Sequence, residues 1–217
     1  MTDAPAPPQR PRSIGLAPGL ALDAAGQDAA KYGTSNPVVQ KLLARWMTEL
    51  RGVLGTPTGS VVDVGVGEGF ALERMLPGAG AVALEYRHDK AVAAARRLPS
   101  VAVIRGDAGV LPFPDRSVDL VTSIEVLEHL PTYDQALAEM ARICRGRLVV
   151  SVPWEPWFRL GNLGRGKNVK RLGNDPEHVQ AFTPRRLERA LAAHFESVRV
   201  VRAFPWLIAE ARTPRRR

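Results

Sequence analysis

A glycine-rich stretch follows a short run of β-branched residues and carries carboxylates on both sides. Residues 61–70 read Val-Val-Asp-Val-Gly-Val-Gly-Glu-Gly-Phe. Gly65 and Gly67 remove side chains where the backbone must turn tightly and approach a ligand, and a helix that starts after them offers free N–H groups. The carboxylate of Asp63 suits an ammonium group better than a pyrophosphate. The pattern predicts a strand, a ligand-binding turn and a helix.

Two further carboxylates follow later β-branched runs. Glu85 stands twenty residues after Gly65, where it can accept hydrogen bonds from both hydroxyls of a ribose, and Asp107 can accept one from an adenine amino group. The dinucleotide fingerprint G-x-G-x-x-G requires glycine at 70, where Phe70 stands, and the third glycine comes one place early. The spacing therefore favours an adenosyl compound, and an NAD-dependent oxidoreductase stays as the alternative.

The segments that must position these residues alternate between strand and helix. We predict helices over 22–31, 37–54, 69–76, 88–98, 132–144 and 183–193, and strands over 60–64, 81–85, 101–105, 118–124, 148–152, 197–203 and 206–211. Continuous apolar strands that alternate with helices indicate a mostly parallel sheet covered on both faces. The fold class is therefore α/β, a Rossmann-like doubly wound sheet. The only cysteine, Cys144, falls at a helix end and is expected in the core.

Length and composition indicate a single globular domain with tails. The 217 residues are 45% hydrophobic and 24% charged, with no apolar run long enough to cross a membrane. Residues 1–20 contain five prolines and are expected to be a disordered tail, 21–211 the domain, and 212–217 a basic tail. Glycines and a proline interrupt the apolar run at 14–22, which disfavours a signal peptide. With one cysteine, a cytoplasmic location is expected.

The net charge of +8 is unevenly distributed. Basic residues concentrate in the C-terminal tail and in 159–171, while the rest of the chain is close to neutral. A nucleic-acid footprint is expected on the folded body, so the charge does not by itself indicate nucleic-acid binding. An RNA-binding or RNA-modifying protein that uses 159–171 stays as a further alternative.

Four sequence blocks follow four successive predicted strands. They are D-V-G-V-G-E-G at 63–69, L-E-Y at 84–86, G-D-A-G-V-L-P-F at 106–113 and S-V-D-L-V-T-S-I-E-V-L-E-H-L at 117–130. Together they resemble the class I S-adenosylmethionine-dependent methyltransferases, particularly the type 11 small-molecule branch. The resemblance implies a seven-stranded sheet with an antiparallel last strand, S-adenosylmethionine as cofactor and S-adenosylhomocysteine as product.

The resemblance also implies a set of cofactor-binding residues. The glycines would line the methionine part, Glu85 would bind ribose, Tyr86 would flank the adenine, Ser123 would face the methyl donor, and Tyr32 would form part of a lid. The full predicted set is Tyr32, Asp63, Gly65, Val66, Gly67, Gly69, Glu85, Tyr86, Asp107, Ala108 and Ser123.

Methyl transfer is an in-line displacement, so the protein must align the acceptor and remove a proton where the acceptor is a hydroxyl. We take His129 and His178 as the candidate catalytic bases, because the unperturbed pKa of histidine suits the task. Glu125 and Glu128 are further candidates. Residues 123–126 lack the Asn/Asp-Pro-Pro-Tyr/Phe pattern that holds a nucleic-acid base, and no cysteine and histidine residues have metal-ligand spacing, so we predict no metal site.

Substrate recognition is assigned to residues 153–182, a long irregular insertion after the fifth predicted strand. Its aromatic residues can form an apolar wall, and its basic residues can hold an anionic group. The predicted substrate-binding residues are Trp154, Trp157, Phe158, Arg159, Arg165 and Lys167. The sequence predicts methylation of a small or lipid-linked molecule, at oxygen rather than nitrogen or carbon, with peripheral membrane contact through this segment as a further option.

Overall fold

The computed structural model describes residues 31–77, 80–164, 166, 169–173, 175 and 177–215. The predicted tail at 1–20 and nearly all of the predicted helix at 22–31 lie outside these residues, as do Arg165 and Lys167. Within the described part of the chain, no helix is both long and apolar enough to cross a membrane.

Seven strands form one sheet in the order β3-β2-β1-β4-β5-β7-β6. The strands are β1 (Val61–Val64), β2 (Ala81–Glu85), β3 (Ala102–Arg105), β4 (Val118–Ile124), β5 (Cys144–Pro153), β6 (Phe195–Ala203) and β7 (Trp206–Pro214). Strands β1 to β5 pair in parallel. β7 is antiparallel to both of its neighbours, β5 and β6, which confirms the Rossmann-like sheet with an antiparallel last strand.

Six α-helices connect and flank the strands in the described residues: α1 (Pro37–Leu54), α2 (Phe70–Met75), α3 (His88–Arg97), α4 (Tyr133–Ile143), α5 (Trp157–Gly164) and α6 (Pro184–Ala192). Short 3₁₀ helices cover Leu127–His129 and Val169–Arg171. The first residues of two of these helices follow from capping side chains. The side chain of Asn36 accepts N–H bonds from the first turn of α1, and Thr183 caps α6, with proline next in both cases.

The core has two layers because side chains alternate across the strands. On one face α1, α2 and α3 pack on residues such as Val61, Ala83 and Ile208. On the other face α4 and α6 cover residues such as Val62 and Leu207. The sheet is therefore covered on both faces, and its carboxyl edge presents the turn after β1 and the ends of β2 and β4.

Four local predictions were wrong. β5 runs over Cys144–Pro153 rather than 148–152, because β4 and β7 pair with its two edges. α4 therefore ends at Ile143, and Cys144 begins a strand. It is nevertheless buried as expected, and burial raises the pKa of its thiol to about 12. Residues 153–182 are not irregular throughout, because they contain α5 and a 3₁₀ turn. The last two strands also extend beyond their predicted bounds.

Candidate active site

The turn between β1 and α2 requires glycine for conformation and for space. Gly65, Gly67 and Gly69 have φ angles of 84°, 59° and 88°. A Cβ atom on Gly65 would lie 2.4 Å from Val126 Cγ2, so the segment after β4 packs directly against this turn. The intervening Val66 is buried in the core. The turn thus places backbone N–H groups at the sheet edge and brings residues 125–129 beside them.

Glu85 fastens this turn to the end of β2. Its Oε2 accepts a hydrogen bond from the Gly67 N–H at 2.9 Å, and its Oε1 accepts one from the Arg87 N–H at 2.9 Å. Each carboxylate oxygen has a second acceptor site. The oriented carboxylate therefore fits a ribose that donates two hydroxyl hydrogens.

Asp107 lies at the end of β3 in the position expected for reading an adenine. Its Oδ1 accepts from the Gly109 N–H at 2.8 Å, while its buried Oδ2 has no hydrogen-bond partner among the described residues. Ala108 is buried and Tyr86 is exposed. An unpaired buried oxygen is costly unless a ligand donates to it. These residues fit the adenosyl group that the sequence predicted.

Asp63 lies beneath the turn rather than at its surface. It is 3% exposed and accepts a hydrogen bond from Thr122 Oγ1 at 2.5 Å. Burial raises the pKa of its carboxyl group to about 7, with a smaller increase from the nearby charge of Glu85. Ser123 is also fully buried, and its hydroxyl donates to the Val64 carbonyl at 3.1 Å. This bond joins β4 to β1, and a place for Ser123 beside the methyl donor stays a prediction.

The segment before α1 contributes two residues near the turn. The Tyr32 ring stacks on Phe70, with 5.6 Å between ring centroids. Lys31 forms an ion pair with Glu125, and its ammonium lies 5.1 Å from the Trp46 ring centroid and 5.3 Å from that of Trp206. A lid function for Tyr32 stays a prediction. No sequence pattern predicted the ion pair of Lys31, because its partner Glu125 is ninety-four positions away.

The two predicted histidines meet in space. The ring centroids of His129 and His178 are 5.1 Å apart, and the rings meet edge to face. One potential ligand atom from each of Glu128, His129 and His178 lies within 4.8 Å of the others. The main chain holds them together, since the Glu128 carbonyl accepts hydrogen bonds from the N–H groups of Val179 and Gln180. Sequence spacing missed this cluster, because His178 is distant along the chain, and the structure thus offers metal-ligating groups where none were predicted.

Burial controls the protonation of this cluster. Glu128 is 1% exposed, and neither carboxylate oxygen has a hydrogen-bond partner among the described residues. Burial, aided by the neighbouring Glu125, raises its pKa well above the usual range. Burial and the nearby His129 lower the pKa of His178 to about 3. His178 is therefore neutral at physiological pH and a weak proton acceptor.

Trp154, Trp157 and Phe204 form an aromatic surface through mutual ring contacts, and Phe158, which follows Trp157 on α5, contacts the cluster. The ring centroids of Phe158 and His178 are 5.5 Å apart. The ring centroid of Trp157 lies 6.4 Å from that of Trp154 and 6.2 Å from that of Phe204. Trp157 and Phe204 are 44% and 41% exposed. Arg159, two residues after Trp157 on α5, forms a 3.6 Å ion pair with Glu155. The structure therefore brings together four of the six predicted substrate-binding residues, and the other two lie outside the described residues.

Sequence comparisons agree with this geometry. Residues 62–150 match the family model described as a methyltransferase domain. Over 135 residues the chain is 35% identical to the demethylmenaquinone methyltransferase of Renibacterium salmoninarum, covering 60% of this chain and 57% of that protein. Over 98 residues it is 40% identical to a Mycobacterium tuberculosis protein named probable S-adenosylmethionine-dependent methyltransferase, covering 43% and 35%. The chain thus spans between a third and three fifths of these relatives.

Solved structures share the fold. Magnesium protoporphyrin IX methyltransferase from Synechocystis, which contains bound S-adenosylhomocysteine, superposes with a TM-score of 0.63 at 18% identity over 85% of this chain and 92% of that one. The YcgJ protein of Bacillus subtilis gives 0.60 at 20% identity, over 73% and 71%. The family match, the relatives and the adenosyl-type site agree. Residues 62–150 therefore match a methyltransferase domain, and these similarities support the predicted class I methyltransferase of type 11 with S-adenosylmethionine as its cofactor.

Proposed function

We propose that the protein transfers a methyl group to a hydroxyl oxygen of a small, largely apolar acceptor, including a lipid-linked one. The observation that carries the acceptor class is that α5 supplies Trp157 to the aromatic surface and the next residue, Phe158, to the buried polar cluster, where its ring centroid lies 5.5 Å from that of His178. An apolar surface beside a few inward polar groups is typical of small-molecule sites.

On the cofactor side, each residue has a defined task. Glu85 would accept the ribose hydroxyls, and Asp107 Oδ2 would accept from the adenine amino group. The glycine backbone of the turn at 65–69 would line the methionine part, and Asp63 lies beneath the turn and accepts a hydrogen bond from Thr122. Tyr32 would cover this end of the site through its stacking on Phe70. These groups bind and orient the donor but do not react.

On the acceptor side, the reaction requires alignment and loss of one proton. A lone pair of the acceptor oxygen forms the new bond to the methyl carbon, the carbon–sulfur bond breaks, and its electrons remain on sulfur. The hydroxyl proton must leave, and His129 and Glu128 are the members of the cluster available to receive it, since His178 is a weak proton acceptor. An anionic group on the acceptor would meet the exposed side of Arg159.

Oxygen as the acceptor atom is tested by product analysis. The purified full chain would be incubated with methyl-labelled S-adenosylmethionine and with matched phenols, hydroquinones, amines and carboxylic acids, including demethylmenaquinol, because one relative is named for demethylmenaquinone. We expect label in a methyl ether or ester. Label on nitrogen, or on a ring carbon, would contradict the proposal for the acceptor atom.

The acceptor surface is tested in the same assay. Trp157→Ala should raise the KM for the acceptor and leave the KM for the donor unchanged. Val92→Ala, at an exposed apolar position on α3, is the matched control and should change neither constant. An unchanged acceptor KM in the Trp157 variant would place acceptor binding elsewhere.

A further inference from the structure

Glu128, His129 and His178 combine the two ligand types that bind divalent first-row transition ions, a carboxylate and imidazole nitrogens. Their ligand atoms all lie within 4.8 Å of one another, so that a small side-chain movement would bring all three to roughly 2 Å from one shared ion. Two histidines and one carboxylate leave coordination positions open for a substrate oxygen.

The orientation of His129 is what a metal ligand needs. Its Nδ1 lies 3.0 Å from the Glu177 carbonyl oxygen, and a carbonyl only accepts hydrogen bonds. Nδ1 therefore donates to this carbonyl, which leaves Nε2 as the nitrogen that would bind an ion. Ligating histidines usually donate their second nitrogen to a carbonyl or carboxylate in this way, which fixes the ring.

Unpaired acceptors surround the same point. Both carboxylate oxygens of Glu128, Nδ1 of His178 and Oε1 of Glu125 are buried and have no hydrogen-bond partner among the described residues. Glu128 is more than nine-tenths buried. Such a set of unpaired acceptors is destabilising unless something positively charged or hydrogen-donating fills it.

The backbone of Glu125 adds an independent observation. Its φ angle is 61°, a conformation that residues other than glycine rarely adopt. Its N–H donates to the Ser151 carbonyl at 2.8 Å. Strained residues held in this way often lie at functional sites. Glu125 lies where the chain leaves β4 and approaches the 3₁₀ helix that contains Glu128 and His129.

We propose that Glu128, His129 and His178 bind one divalent first-row transition-metal ion, with Glu125 as a neighbouring carboxylate, and that the ion holds the acceptor oxygen. The binding site stands on geometry alone. Its role in catalysis rests on the proposed function, because a bound cation lowers the pKa of a coordinated hydroxyl so that its proton passes to solvent.

Cobalt(II) provides a direct test, because its visible absorption reports nitrogen and oxygen ligands in a protein site. The full chain, stripped with a chelator, would be titrated with Co²⁺ and then with Zn²⁺. We expect saturation at one equivalent, with the spectrum lost when Zn²⁺ replaces Co²⁺. Absence of a saturable spectrum at millimolar Co²⁺ would overturn the proposal.

Three variants locate the site. Glu128→Gln and His178→Ala should each weaken Co²⁺ binding by more than roughly tenfold, because loss of even an outer-shell partner typically costs about 10–100-fold. His88→Ala, at the exposed start of α3, should bind as the wild type does. The Gln variant is nearly isosteric, and circular dichroism would verify that each variant is folded. Wild-type affinity in both site variants would overturn the assignment.

Calorimetric titration with S-adenosylhomocysteine separates this inference from the proposed function. A protein that binds the nucleoside and transfers methyl groups to oxygen, but gives no cobalt spectrum, retains the function and loses the metal site. A protein that binds cobalt at these residues but methylates no hydroxyl retains the metal site and loses the proposed function.

Discussion

The Gly67 N–H donates to Glu85 Oε2 at 2.9 Å, so that the glycine turn and the end of β2 form one hydrogen-bonded unit. The other oxygen of Glu85 accepts from Arg87, and the carboxylate is thereby oriented before any ligand arrives. Preorganisation of this kind lowers the entropic cost of binding.

Glu85→Gln should weaken S-adenosylhomocysteine binding by roughly 10–150-fold, corresponding to a lost charged hydrogen bond of about 1.5–3 kcal/mol. The amide group of glutamine must turn its NH₂ toward either the Gly67 or the Arg87 N–H, where two donors face each other. Isothermal titration measures the change. Glu73→Gln, on the partly exposed side of α2, is the matched control. Equal affinities in the two variants would remove Glu85 from the site.

Gly65→Ala should destabilise the fold and abolish cofactor binding. The new Cβ would lie 2.4 Å from Val126 Cγ2, and a residue with a side chain at φ 84° costs about 1–2 kcal/mol in addition. Gly52→Ala is the control, because a Cβ there meets nothing within 4 Å and its helix should gain about 0.5–1 kcal/mol. Urea unfolding compares the two. A stable Gly65 variant that binds the nucleoside normally would contradict this reading of the turn.

Asp63 should make stability fall as the pH rises. Its pKa is about 7 in the fold and near 3.8 when unfolded, so the folded state holds a proton that the unfolded state releases between these values. The stabilising contribution is complete below about pH 4 and is lost as the pH rises to about 7, with a slope of up to about 1.4 kcal/mol per pH unit.

Asp63→Asn should remove this slope, because the amide stays neutral and still accepts from Thr122. The variant should therefore gain stability relative to the wild type between pH 5 and pH 8, as measured by urea unfolding in the absence of cofactor. Asp89→Asn serves as the comparison. Arg87 holds the pKa of Asp89 at about 2, so the pH range in which Asp89 changes the stability lies lower than that of Asp63. Parallel pH profiles for wild type and Asp63→Asn would rule out a buried proton at this position.

Alanine substitution should destabilise the fold far more at one tryptophan than at another. Trp46 is fully buried, stacks on Trp206 at 4.9 Å and donates to Ser151 Oγ at 2.9 Å. Trp46→Ala should cost about 3–5 kcal/mol of unfolding free energy. Trp157→Ala should cost less than about 1 kcal/mol, because its ring is 44% exposed. Thermal and urea unfolding test the contrast, and similar losses in both variants would contradict it.

The sequence predicted best those features that depend on neighbouring residues. Positive φ at Gly65, Gly67 and Gly69 follows from residue type and close spacing. The carboxylates at strand ends follow from the same local logic, because parallel strands all bring their carboxyl ends to one edge. The helical spacing of apolar residues and the capping residues predicted the bounds of α1 and α6 to within one or two residues.

Features that depend on distant partners could not be predicted in this way. The pairing of Lys31 with Glu125 and the contact of His129 with His178 join segments with no common pattern. The length of β5 depends on β7, which pairs with it from the far end of the chain. The hydrogen bond from Ser123 to the Val64 carbonyl could not be predicted either, because strand alternation does not reveal which backbone carbonyl a hydroxyl will contact.

The central position of β7 has a consequence for biosynthesis. β5 and β6 are not hydrogen-bonded to each other, and only β7 fills the space between them. A nascent chain in which Trp206–Pro214 has not yet been synthesised therefore has one unpaired edge on β5, which is rich in valine, and leaves β6 without any strand partner. Such edges favour association between chains. Premature termination near residue 205 should thus yield an aggregating product.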